Sequence, residues 1–239
     1  MSQTVFHHIH PYKPFLFKEA TKCIVGTLPP PRFTTGELKD GDVDFCYGSR
    51  DGQLWPILDR IFGLNLSFET TEKAIEQRTD FLRQRRIGIC DIVKSAQRSK
   101  IDASDLGLEN IVMRNMFAYL YEYSNIDTLL FTGGNSKNGP EYLFRKYLRQ
   151  FDLKLKVVNS QVPRVHCFTL PPLGLIYGPD KQESGSLLEE RNIKTVSLTA
   201  PSGAANRAVG SLGDYKNMKK QNPEINTIDY RVLQYKKYF

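Results

Sequence analysis

Four short runs of β-branched and apolar residues, each followed by a loop, constrain this chain more than anything else in it. They are Cys23-Ile24-Val25, Ile87 to Val93, Thr128-Leu129-Leu130-Phe131-Thr132 and Thr195-Val196-Ser197-Leu198-Thr199. A strand that is apolar along its whole length, not at alternate positions, has both faces covered, which is the pattern of a buried parallel sheet. Helical spacings lie between them. Trp55, Ile57, Leu58, Ile61 and Phe62 make one stripe, closed by Gly63, and Thr70 to Arg86, Ile111 to Tyr123 and Pro140 to Phe151 supply three more. Strands alternating with helices predict an α/β fold.

With 239 residues and 40% hydrophobic content, the chain suits one large domain, residues 1–239. The first strand is expected from Lys22 to Gly26, after an aromatic lead-in that contains His7, His8 and His10. Phe33 to Gly52 reads as a long loop, and a loop of that length inside a compact domain is usually functional. Leu153 to Val158 and Val165 to Leu170 read as two extra strands, followed by a loop through Pro171, Pro172, Gly174, Gly178 and Pro179. Residues 152–192 therefore look like a small inserted β segment. Asn206 to Leu212 starts a short helix, and Tyr230 to Phe239 is a basic and aromatic tail.

Charge and cysteine usage narrow the function classes. The balance of 33 Lys+Arg against 26 Asp+Glu gives +7, which favours a polyanionic partner. No apolar stretch approaches the roughly 20 residues of a membrane span, and the first residues lack the basic-then-apolar order of a secretion signal. The expected location is the cytoplasm. Cys23, Cys46, Cys90 and Cys167 are scattered with no CxxC pair, as packed, reduced thiols are. The histidine cluster has no carboxylate or cysteine at ligand spacing, so no metal is expected.

Two loops, far apart in sequence, lie where ligands bind in such sheets, beyond the carboxyl ends of strands. In Gly26-Thr27-Leu28-Pro29-Pro30 a sharp turn is stiffened by prolines, so that N–H groups can be aimed at an anionic or carbonyl oxygen; a plain strand-to-loop turn explains it as well. In Pro201-Ser202-Gly203-Ala204-Ala205-Asn206-Arg207 small residues permit close approach to a phosphate backbone, and a serine cap on a short helix is the equal alternative. Tyr47 to Trp55 brings an aromatic suited to stacking and a carboxylate, Asp51, suited to orienting water; helix capping by Asp51 and a core role for Trp55 compete. Asp91 ends a strand, where it faces a bound base or caps a helix.

Taken in order, these segments resemble the uracil-DNA glycosylase superfamily, closest to its hypoxanthine/mismatch-type branch. The resemblance is carried by His10 to Phe15, Ile24 to Pro30, Tyr47-Gly48 through Leu54-Trp55, Gly88 to Val93, Asp127 to Gly134, and Pro201-Ser202 with Ala205-Asn206-Arg207. It implies a three-layer α/β/α fold around a four-stranded parallel sheet, and a monomer acting in base-excision repair. The implied reaction is hydrolysis of the N-glycosidic bond of uracil, hypoxanthine or a mismatch-related base, flipped from duplex or single-stranded DNA, with no cofactor. Carried onto this sequence, the turn at Gly26 and Thr27 stabilises charge on the departing base, while Leu28, Tyr47 and Asp91 hold that base. Ser202, Gly203, Asn206 and Arg207 contact DNA.

Three positions depart from the pattern. The branch's water-positioning asparagine falls on Gly52, with Asp51 one place earlier; the Pro-Gly of the first motif is Pro29-Pro30; the usual Ser-Pro is Pro201-Ser202-Gly203. Asp51 is the expected replacement for the asparagine. Two other classes compete: a catalytically lapsed homologue that binds DNA or a nucleotide, and a small-molecule enzyme using the strand ends for a phosphate ligand.

Overall fold

The computed structural model describes residues 5–177 and 189–239. The chain opens with β1 (Phe6–Ile9) and β2 (Lys22–Val25), makes α1 (Pro31–Thr35), α2 (Leu54–Phe62) and α3 (Glu72–Gln84), and returns as β3 (Ile87–Ile89). Next come β4 (Val93–Arg98), β5 (Glu109–Met113), α4 (Met116–Glu122), β6 (Thr128–Phe131) and α5 (Pro140–Arg149). The last part holds β7 (Lys156–Asn159), β8 (Arg164–Leu170), α6 (Leu173–Tyr177), β9 (Arg191–Ser197), α7 (Asn206–Ser211), α8 (Gly213–Gln221) and α9 (Thr227–Tyr235).

The main sheet has the order β3-β2-β6-β9-β8-β7. Its first four strands are parallel, and each of them takes in part or all of one of the four apolar runs read from the sequence. Each strand alternates between two covered faces. Cys23, Val25, Leu129 and Phe131 pack with Phe117, Leu120, Phe144 and Leu148 of α4 and α5. Ile24, Leu130, Ile87 and Val196 face the other way, into Trp55, Leu58, Phe81 and Tyr235 of α2, α3 and α9. Helices on both faces of a mostly parallel sheet are the α/β architecture expected. The two extra strands occur as β7 and β8, which extend the sheet by antiparallel pairing onto β9. The Pro/Gly-rich stretch after β8 is described to Tyr177; Gly178 and Pro179 lie outside the described residues.

Three segments differ from the sequence reading. Ile87 to Val93 is not one strand: β3 stops at Ile89, the chain crosses Cys90-Asp91-Ile92, and β4 joins a second, antiparallel sheet of order β1-β4-β5. Both pieces are apolar, so periodicity alone did not show the change of sheet. Ile111 to Tyr123 is likewise split. Its β-branched start belongs to β5, and the helix begins only at Met116, where Asn115 accepts the Ala118 N–H as its cap. The tail is a helix, α9, started by a capping box between Asn226 and Asp229.

The strand order positions the site. After β2 the chain runs to α2 and α3 on one face, and after β6 it runs to α5 on the other, so the loops beyond Val25 and Phe131 part and leave a crevice. Phe117, fully buried and in ring contact with Tyr121, Tyr147, Phe151 and Phe168, fills the layer beneath this crevice on the α4–α5 side. Replacing Phe117 with Ala is expected to cost about 3–5 kcal/mol in unfolding free energy, read by urea denaturation.

Candidate active site

A cavity of about 590 Å³ opens at this crevice. Its wall takes residues from every segment singled out in the sequence: Thr27 and Leu28 after β2, Tyr47 and Asp51 before α2, Asp91 after β3, and Ser202 and Gly203 after β9. Among the described lining residues there are three carboxylates, Asp51, Asp91 and Asp105, and no lysine or arginine.

The floor is built around Asp91. Its buried carboxylate accepts the Gly26 N–H (2.7 Å) and the Tyr47 hydroxyl (2.8 Å) on Oδ1, while Oδ2 takes His10 Nε2 (2.9 Å). The Tyr12 N–H points at His10 Nδ1 (3.2 Å), which leaves the ring proton on Nε2, facing the carboxylate. His8 lies in β1 and His10 just past its end, and the two take different partners. His10 reaches Asp91, and His8 accepts the Arg98 Nε–H at 2.8 Å, with burial lowering its pKa to about 4 and keeping it neutral. Burial also pushes the Tyr47 hydroxyl well above its ordinary pKa, so it remains a donor. Tyr47 stands at φ 59°, a left-handed conformation that costs a non-glycine residue about 1–3 kcal/mol, and its hydroxyl is gripped by Asp91 and Thr132 (3.2 Å). Gly26 is required beneath it, because a Cβ there would lie 2.3 Å from that hydroxyl. The Gly26 amide is therefore committed to Asp91 and not presented to a ligand.

The rim joins the two distant loops directly. Gly52 and Ser202 form an antiparallel bridge, and the Gln53 N–H donates to Pro201 O at 2.8 Å. Arg231, fully buried on α9, locks the joint by donating to Gln53 Oε1 (2.9 Å), Asn206 Oδ1 (2.8 Å) and Ser202 O (3.1 Å). Asn206 is thereby turned inward, and Thr227 also donates to it. Arg207 is exposed; neither residue lines the cavity. Asp51 lies at the mouth. Its side chain is 71% exposed and meets Arg32 Nη2 at 3.2 Å.

Sequence reading missed Asp42 and Asp105. Asp42 sits fully buried in the long loop and accepts Arg32 Nε (2.7 Å), Arg32 Nη2 (2.8 Å), Lys39 N (2.9 Å) and Arg50 N (2.8 Å). It is one of several aspartates in a polar segment, and nothing local separates it from the exposed ones. Asp105 lies in the turn between β4 and β5, in a stretch too polar to mark as part of a site. Its Oδ1 accepts the Thr27 hydroxyl at 2.7 Å.

No family model matches the chain, and no curated protein does. Among solved structures it is similar to a solution NMR structure from Methanosarcina acetivorans, provisionally assigned as a uracil DNA glycosylase. The two are 15% identical over 95% of this chain and 99% of that chain, with a TM-score of 0.45.

Asp42 supplies a measurable acid dependence. Burial on its own would raise its pKa, but the Arg32 guanidinium and the Arg50 and Lys39 N–H groups outweigh burial and hold it at about 2. A carboxyl depressed on folding stabilises fully above its unfolded value and loses that contribution as pH falls through the folded one. The window is therefore between about pH 4 and pH 2, and the contribution is about 2 kcal/mol. Unfolding free energies of the wild type and Asp42→Asn, measured from pH 6 down to pH 2, are expected to converge across that window.

Proposed function

We propose that this chain is a DNA glycosylase that hydrolyses the N-glycosidic bond of a deaminated base, uracil, hypoxanthine or a mismatch-related base, after flipping it into the crevice. The observation that carries the reading is the charge of the cavity: carboxylates line it, and among the described lining residues there is no lysine or arginine. Phosphate groups are repelled from such a wall, which counts against a small-molecule enzyme gripping a phosphate there. A nucleobase suits it, because the ring is uncharged, fits a volume of this size and presents N–H donors to carboxylate oxygens. DNA phosphates would then stay outside, where exposed cations such as Arg50 and Arg207 flank the mouth and the net charge of +7 favours them. The order of motifs along the chain supports the same reaction class, and hydrolysis needs no cofactor.

Flipping a base costs a few kcal/mol of stacking, offset by phosphate contacts and by packing of the extruded ring in the pocket. In this reading Tyr47 and Leu28 flank the base, Asp91 fixes the floor, and Ser202 and Gly203 approach the strand. One observation favours a second reading: Asp51, the expected replacement for the water-positioning asparagine that falls on Gly52, is exposed at the mouth and paired with Arg32. That favours a homologue which holds DNA or a nucleotide without cutting.

Purified protein incubated with duplex and single-stranded oligonucleotides carrying uracil or hypoxanthine is expected to leave abasic sites that break in hot alkali. DNA binding without any abasic product would select the second reading. Arg207→Ala is expected to reduce the slope of log affinity against log salt by about 1 without altering base preference.

A further inference from the structure

Resting on the glycosylase reading, we infer that Asp105, and not Asp51, is the catalytic base that takes the proton of the attacking water. Among the described residues three carboxylates line the cavity, and geometry separates them. Asp91 already accepts from Gly26, Tyr47 and His10. Asp51 is drawn to the rim by Arg32. Asp105 has Oδ1 fixed by Thr27, no hydrogen bond from the described residues occupies its Oδ2, and the residue lines the cavity. One oxygen held and one free is the arrangement that orients a water molecule while leaving a lone pair to receive its proton.

The turn that carries Asp105 is held from behind. Asn138, buried and at φ 61°, donates Nδ2 to both Asp105 O (2.9 Å) and Leu108 O (3.0 Å). Asp105 and Thr132 also border a second cavity of about 420 Å³ beyond β6 and β9. Asp105 thus borders both the space assigned to the base and an adjoining cavity.

Charge around the group is mixed. Burial pushes its pKa up to about 6; the Thr27 hydrogen bond and Arg98 of β4 pull it down, and Asp91 pushes it up. Asp102, in the same turn, faces Arg98, and Arg164 of β8 borders the second cavity. At neutral pH the carboxylate is ionised and ready to accept. In the reaction the water oxygen bonds C1′ as the C1′–N bond breaks, and the electron pair leaves with the base. The proton passes from water to Asp105 and then to the departed base, so the carboxylate is regenerated and no other reactant enters.

The test is single-turnover base release from pH 5 to pH 8, with binding measured on a duplex whose target nucleotide carries a 2′-fluorine and resists hydrolysis. Asp105→Asn is expected to slow release by about 100-fold or more while changing affinity by less than about threefold. The wild-type rate should climb through about pH 6 and level off; the climb should vanish in Asp105→Asn and persist in Asp51→Asn. A rate for Asp105→Asn within about threefold of wild type, or a climb that survives in it, overturns the assignment and leaves the glycosylase reading standing. Loss of affinity matching the loss of rate overturns it as well, because Asp105 would then be a binding group. A wild type that releases no base from any of the oligonucleotides overturns both.

Discussion

A single buried carboxylate decides the geometry at the end of this sheet. Asp91 stands where the chain leaves the parallel sheet for the antiparallel one, and it gathers the segment just after β1 through His10, the end of β2 through Gly26, and the long loop through Tyr47. Each of those groups is polar and little exposed to solvent, so a missing partner would leave it unsatisfied at a cost of about 1–3 kcal/mol. The network holds together because every member is paired. Its closeness also explains why residue 26 has no side chain.

Around this floor, two further polar centres turn long loops into fixed walls. Asp42 collects Arg32 and two backbone amides, so the segment between α1 and α2 is ordered without regular structure. Arg231 does the same on the opposite rim from a helix late in the chain. Buried ion pairs and hydrogen-bonded charges of this sort add little net stability, since desolvation offsets much of the attraction, but breaking one partner away is costly. Their effect here is to define one arrangement of the cavity wall.

The sheet was legible in the sequence because its strands are apolar on both faces, a pattern with few other solutions. Cys23-Ile24-Val25 and Leu129-Leu130-Phe131 could hardly sit anywhere else. The second sheet was not legible, because β4 follows β3 without a turn signal and β5 runs into a helical spacing at Met116. At the cavity, Thr27, Leu28, Tyr47, Asp51, Asp91, Ser202 and Gly203 are brought together as lining residues. Asn206 was read as a DNA contact from its neighbours in sequence, whereas its carboxamide oxygen is held by Arg231 and Thr227, partners about twenty residues and more away. Asp105 escaped notice for the same reason: its placement depends on Thr27 and Asn138, and neither is near it in the chain.

The bridge between Gly52 and Ser202 has a consequence for how the crevice responds to an occupant. Backbone joined to backbone, and clamped by Arg231, makes the two rim loops one lintel over the cavity. Side-chain rotation cannot widen such an aperture; α2 and α7, which begin at its two ends, must tilt with it. Parting the two loops would therefore break backbone hydrogen bonds and the Arg231 contacts together, so this side of the rim moves as one unit.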